Sequence, residues 1–424
     1  MMQYYPRLDE HLYKRVLPNG LTVMVRPRPG FTKNLAYFVT DFGAIHTEFT
    51  LDGVAHTAPD GVAHYLEHKL FDLPGRDVSA EFAALGANTN AFTSYDMTAY
   101  YFSCTENFES CLRLLLEFVS TPYFTEETVA KEQGIIAQEI DMTADSPDTA
   151  VFEGLMDNMY LKHPVTIPIL GFHHTIREIT PEILHTCHRA FYRPGNMVLC
   201  VVGDVKPEDI CRIAQELLPK EDNVSMTVRR EWPEEMTVLQ SKSERTMEVA
   251  MPMFQLGFKA EPRERGEEAI REEVLADLAA EALFGESSRL YLKLYDAGII
   301  DSSFGGGFET IEGMAMLTCS GDSYQPEKVR DEVLEEAARI VEEGIDQAQF
   351  DRMRRSALGR RIKGLDSFDS TCFRLCAYHL SGYDYFDFPK LYENLEISQL
   401  QDFLARVVTP QRCSICIIRP TADE

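Results

Sequence analysis

Residues 61–70 read Gly-Val-Ala-His-Tyr-Leu-Glu-His-Lys-Leu, and this run constrains the chain more than any other. After its first residue it contains no glycine or proline, and it is predicted to be helical. Helix positions i and i+4 lie on one face a turn apart, so His64 and His68 present two imidazoles to one point. That arrangement suits two nitrogen ligands of a single Zn²⁺. Glu67 shares the face, three residues after the first imidazole, where its carboxylate reaches a water on the metal rather than the metal itself. The H-x-x-E-H order inverts the commoner H-E-x-x-H zinc motif with the same parts. Taken alone, the run also reads as a chance group of surface histidines on a charged helix.

A catalytic zinc needs a third protein ligand and one open position. Residues 131–141 read Lys-Glu-Gln-Gly-Ile-Ile-Ala-Gln-Glu-Ile-Asp. Glu132 and Glu139 fall two turns apart on one helix face, beside Ile135, Ile136 and Ile140. Carboxylates among so many apolar neighbours are partly buried, which is costly unless a cation is near. An amphipathic helix with two solvated glutamates is the plain alternative.

The rest of the chain alternates strands with helices. Asn19-Gly20, followed by Leu21, Val23 and Val25, predicts a hairpin turn and strand. Further strands are expected at 34–40, 98–104 and 197–202, with helices at 61–70, 78–85, 108–119, 126–142, after Thr180-Pro181, and at 206–218. Residues 221–240 are polar and hold a proline, which marks a linker between an N-terminal domain (1–220) and a C-terminal domain (241–424). Beyond it come strands within 247–258, helices at 267–282, 327–343 and 347–364, and strands at 314–319 and 414–418. The two halves share this order, although no residue-level repeat is visible. The expected class is α+β, two domains each built as an antiparallel sheet packed by helices.

Charge and cysteine usage exclude several roles. The 424 residues carry 41 Lys and Arg against 68 Asp and Glu, a net charge of −27. Such a surface disfavours nucleic acid and anionic lipid, and attracts basic peptides. No secretory leader is visible at the N-terminus, and runs such as 197–202 are too short for a membrane span. Ten irregularly spaced cysteines suit reduced thiols in a cytoplasmic protein. Cys413 and Cys416 fit a buried strand rather than a metal or redox pair. Gly305-Gly306-Gly307 lacks a following Lys-Ser/Thr and reads as a flexible turn. His173, His174, His185 and His188 have no companion carboxylate motif and read as surface residues, and the acidic helices as solvated faces.

H-x-x-E-H followed by Glu132-x6-Glu139 resembles the pitrilysin and insulin-degrading-enzyme superfamily of inverted-motif zinc peptidases. At this length the chain looks most like the branch holding mitochondrial processing peptidase and its bacterial relatives. Residues 86–94 with 98–101, 191–197 with 202–204, and Ser287-Ser288-Arg289-Leu290 resemble further family segments in the same order. The resemblance implies a zinc endopeptidase subunit. His64, His68 and Glu139 would be the zinc ligands, Glu67 the general base, and Glu132 a carboxylate orienting a ligand. The segment Asn90, Ala91, Phe92 and Thr93 would hold a peptide substrate by strand addition. Each chain would form half of a clamshell.

One departure bears on partners. Active family members supply an Arg and a Tyr seven positions apart from the second half, and the matching positions here are Leu292 and Ile299. Neither side chain donates a hydrogen bond. The resemblance therefore implies a heterodimer with a homologous subunit that lacks H-x-x-E-H but carries Arg-x6-Tyr. The alternative is a non-catalytic structural subunit of the same fold.

Overall fold

The computed structural model describes residues 1–421. Its first sheet grows from the hairpin at Asn19-Gly20, where Gly20 adopts φ 90° and joins strand Glu10–Val16 to strand Thr22–Pro27. Left-handed backbone of this kind favours glycine. The apolar strands Asn34–Thr40 and Met197–Gly203 lie in the middle of the sheet and are buried along their whole length. The seven strands run in the order Met2–Tyr5, Glu10–Val16, Thr22–Pro27, Met197–Gly203, Asn34–Thr40, Thr98–Cys104, Asn88–Thr93. Neighbours are antiparallel except Thr22–Pro27 with Met197–Gly203, so the sheet is mixed rather than purely antiparallel. Asn88–Thr93 is an edge strand.

The second sheet has five strands, ordered Lys242–Met247, Cys413–Pro420, Met253–Ala260, Met314–Asp322, Gly305–Ile311. It too has one parallel pair, Lys242–Met247 with Cys413–Pro420. Numbered along the chain, these strands take the order 1-5-2-4-3, as do the last five strands of the first sheet. A residue-level echo, not visible by reading the sequence, accompanies this match. Pro194 and Pro410 each open a single 3₁₀ turn, and the strands that follow carry Cys200 and Cys416 at their fourth positions.

The chain forms two compact units that exchange segments. One comprises Met1–Ile140, Ile167–Arg229 and Ile362–Asp387; the other comprises Asp141–Thr166, Arg230–Arg361 and the chain from Phe388 onward. Helix Pro147–Met159 packs on the second sheet and helix Phe368–Leu380 on the first. The fully buried Arg26 fastens the latter segment. Its guanidinium pairs with Glu10 and donates to Leu365 O at 2.6 Å and Thr371 Oγ1 at 3.2 Å. Within 221–240, Met226–Val228 pairs with Glu48–Leu51 of the first unit.

Two readings are corrected. Gly305–Gly307 is not a flexible turn but the start of an edge strand; a Cβ on Gly306 would come within 2.4 Å of Phe284 and 2.5 Å of Thr318 O. His188 is buried, not a surface residue: its Nε2 lies 2.9 Å from Val119 O and its ring stacks on Tyr192. Cys413 and Cys416 do lie in a buried strand. Among the described residues, no helix is long and apolar enough to cross a membrane.

Candidate metal centre

The helix that carries the inverted motif spans Val62–Leu70. It begins at Gly61, φ 89°, where an added Cβ would sit 2.3 Å from Leu170 O; only glycine permits that approach. Every residue of the helix except His68 is buried. Four of its residues, His64, Glu67, His68 and Lys69, are polar, so each needs a partner to offset the loss of water. The partners come mainly from helix Glu126–Ala144 and strand Asn88–Thr93.

His64 Nε2 lies 3.6 Å from Glu139 Oε1, and His68 Nε2 lies 3.6 Å from Glu139 Oε2. The imidazole centroids are 4.5 Å apart, and one donor atom from each of the three residues falls within 4.8 Å of the others. Glu132 does not join this point. Its Oε1 lies 2.9 Å from His68 Nδ1, which donates to it; in the neutral imidazole this leaves Nε2, on the side of Glu139, as the lone-pair nitrogen. Glu67 Oε2 accepts a hydrogen bond from Thr93 Oγ1 at 3.0 Å.

The electrostatics follow from burial and from these pairs. Burial, aided by His68, pushes the His64 imidazole down to about 3, so it is a neutral donor. Burial works against a charge on His68 too, but the hydrogen bond to Glu132 and the charges of Glu67, Glu132 and Glu139 outweigh it and raise this group. Burial raises the Glu67 carboxyl, partly opposed by His68 and Thr93 and reinforced by Glu139.

The donor set fits Zn²⁺. Two imidazole nitrogens and a carboxylate aimed at one point repel unless a cation lies among them. Ligands about 2.0–2.1 Å from a tetrahedral zinc stand roughly 3.4 Å apart, close to the two 3.6 Å separations here. The Glu139 side chain is 40% exposed, which leaves one side of the point open to water or a ligand. Among the described residues, this is the one such group of His, Cys, Asp and Glu.

Residues 52–172 match the family described as insulinase, peptidase family M16, and residues 178–357 match the peptidase M16 inactive domain. The chain is also 36% identical to the uncharacterized zinc protease YmfH of Bacillus subtilis, across 98% of both chains. It belongs to peptidase family M16. An M16-like peptidase from Alicyclobacillus acidocaldarius shares this fold with a TM-score of 0.92 at 31% identity, covering 97% of this chain and 98% of that one. The beta subunit of the mitochondrial-processing peptidase from Caenorhabditis elegans is 25% identical over 96% of this chain and 89% of its own. The resemblance to inverted-motif zinc peptidases is thereby confirmed, as is the α+β class.

Within this M16 fold, residues Asn90 to Thr93 pair on one side only, with Tyr101, Tyr100, Ala99 and Thr98. Thr93 reaches Glu67, while Phe92 packs against Phe373 on helix Phe368–Leu380, with ring centroids 6.0 Å apart. Leu292 is exposed on helix Arg289–Asp296 and Ile299 is buried. Sequence reasoning missed two contacts at the site, Thr93 with Glu67 and Lys69 with Glu132. Neither contact has a signal in the sequence, because both depend on burial that only the fold reveals.

Proposed function

We propose that this chain is the zinc-bearing subunit of a metalloendopeptidase that hydrolyses peptide bonds of small peptides or precursor segments. The observation that carries the reading is the convergence of His64, His68 and Glu139, with Glu132 behind His68 and Glu67 beside them. Zn²⁺ held by the three ligands would polarise a peptide carbonyl and acidify water.

The chain's own residues do the rest. Glu67 Oε2 is held by Thr93, which leaves Oε1 to take a proton from the attacking water and return it to the leaving amine. The free edge of Asn90–Thr93 would bind the substrate backbone by strand addition, giving affinity with little sequence preference. Because Thr93 belongs to that edge, the strand that holds the peptide also orients the base.

Leu292 and Ile299 cannot polarise a substrate, which supports a heterodimer whose homologous partner lacks H-x-x-E-H and carries Arg-x6-Tyr. Free buried thiols support a cytoplasmic setting. The presence of His64, His68, Glu139 and Glu67 close together supports catalysis over a non-catalytic structural role. Cleavage of an unfolded peptide by the partnered Glu67→Gln variant tests the reading. Zinc should be retained while turnover falls by about 10²–10⁴; undiminished cleavage would remove Glu67 from the base role.

A further inference from the structure

Lys69 follows the second histidine directly, and its side chain is 0% exposed. A buried ammonium persists only where acceptors surround it. Here Nζ pairs with Asp72 Oδ2, donates to Thr128 O at 3.2 Å and lies 3.9 Å from Glu132 Oε2. Glu132 is thus held at both oxygens, Oε1 by His68 and Oε2 by Lys69. Its side chain is only 13% exposed, so water competes little for either contact.

Lys69 is also one of three rungs between the two ligand-bearing helices. Tyr65 donates to Val129 O at 2.5 Å, His68 to Glu132, and Lys69 to Thr128 O. Residues 65, 68 and 69 lie on one face of Val62–Leu70, and 128, 129 and 132 on one face of Glu126–Ala144. The rungs set the spacing of helices whose opposed residues are His64, His68 and Glu139.

We propose that Lys69 is a positioning residue for the metal centre, fixing Glu132 so that His68 presents Nε2 to the cation. This rests on the zinc-site reading above. Asp72 also pairs with the ammonium, and Lys69 acts on His68 only through Glu132. Its removal therefore loosens His68 without removing a ligand.

The test is a double-mutant cycle in zinc affinity, measured on the full chain by competition with a chromophoric chelator. Lys69→Gln should weaken zinc binding about tenfold, and Glu132→Gln by 10–100-fold, the span usual for partners of metal ligands. The double variant should bind no more weakly than Glu132→Gln alone, because the two residues act in series. Additive losses, or parental affinity in Lys69→Gln, would overturn the assignment. A Lys69→Gln variant that fails to fold is replaced by Lys69→Met, with the zinc-free unfolding midpoint as the control for fold. If the parent binds no zinc, the zinc reading itself fails; if the parent binds and Lys69→Gln matches it, only this inference does.

Discussion

Thr93 Oγ1 donates to Glu67 Oε2 across 3.0 Å, so the edge strand Asn88–Thr93 and the helix Val62–Leu70 share one carboxylate. The helix fixes where Glu67 starts, and the strand fixes how its carboxylate turns. A hydrogen bond to a charged group contributes about 1.5–3 kcal/mol, enough to select one orientation of a buried carboxylate.

Thr93→Val keeps the shape of the side chain and removes the donor. Turnover of the partnered enzyme should fall about tenfold or more with zinc content unchanged, because the hydroxyl of Thr93 donates to Glu67 and not to the proposed ligands His64, His68 or Glu139. Steady-state kinetics with metal analysis checks this. Loss of zinc in Thr93→Val would show that the strand supports the metal rather than the base.

The partner should be needed for turnover. A missing group that polarises the substrate typically costs about 10²–10³ in rate. The isolated chain should therefore cleave an unfolded peptide at least about 100-fold more slowly than its mixture with a homologous Arg-x6-Tyr chain. Full activity of the isolated chain would contradict the heterodimer.

His188 should make the first unit acid-sensitive. Burial lowers its imidazole to about 4, against 6.5 ordinarily, with the bond to Val119 O opposing the shift. The unfolded chain takes up this proton as pH falls below 6.5, while the folded chain resists it until about 4. Stability is thus full above pH 6.5 and declines as pH falls towards 4, by about 3 kcal/mol at most. Denaturant unfolding from pH 7 to 4 should show a shallower decline in His188→Phe than in the parent. Equal slopes would assign the acid loss elsewhere, for instance to the half-buried His379, which partial burial and Lys14 also lower to about 4.

The sequence exposed part of this site because part of it is local. His64 and His68 are one helical turn apart, so spacing alone pairs them. Glu139 lies on another helix, and only the resemblance to a family brought it to the same point. The contact of Thr93 with Glu67 and the part played by Lys69 stayed hidden, because a threonine ending a strand and a lysine near the end of a helix are ordinary until burial shows their partners. In the fold, the strands Asn34–Thr40 and Met197–Gly203 were legible as apolar runs. Helix Phe368–Leu380 was not: its buried face uses Thr371, Cys372 and Cys376, which blur the apolar period. Its exchange into the first unit depends on Arg26 meeting Leu365 and Thr371, a tertiary contact with no local signature.

The most direct test of the account is the zinc content of the chain purified without chelators. One zinc per chain is expected in the parent and in Glu67→Gln, with at least a tenfold loss of affinity in His64→Ala, His68→Ala and Glu139→Ala. A parent chain that takes up no zinc, or a Glu139→Ala variant that holds it as tightly as the parent, would contradict the assignment.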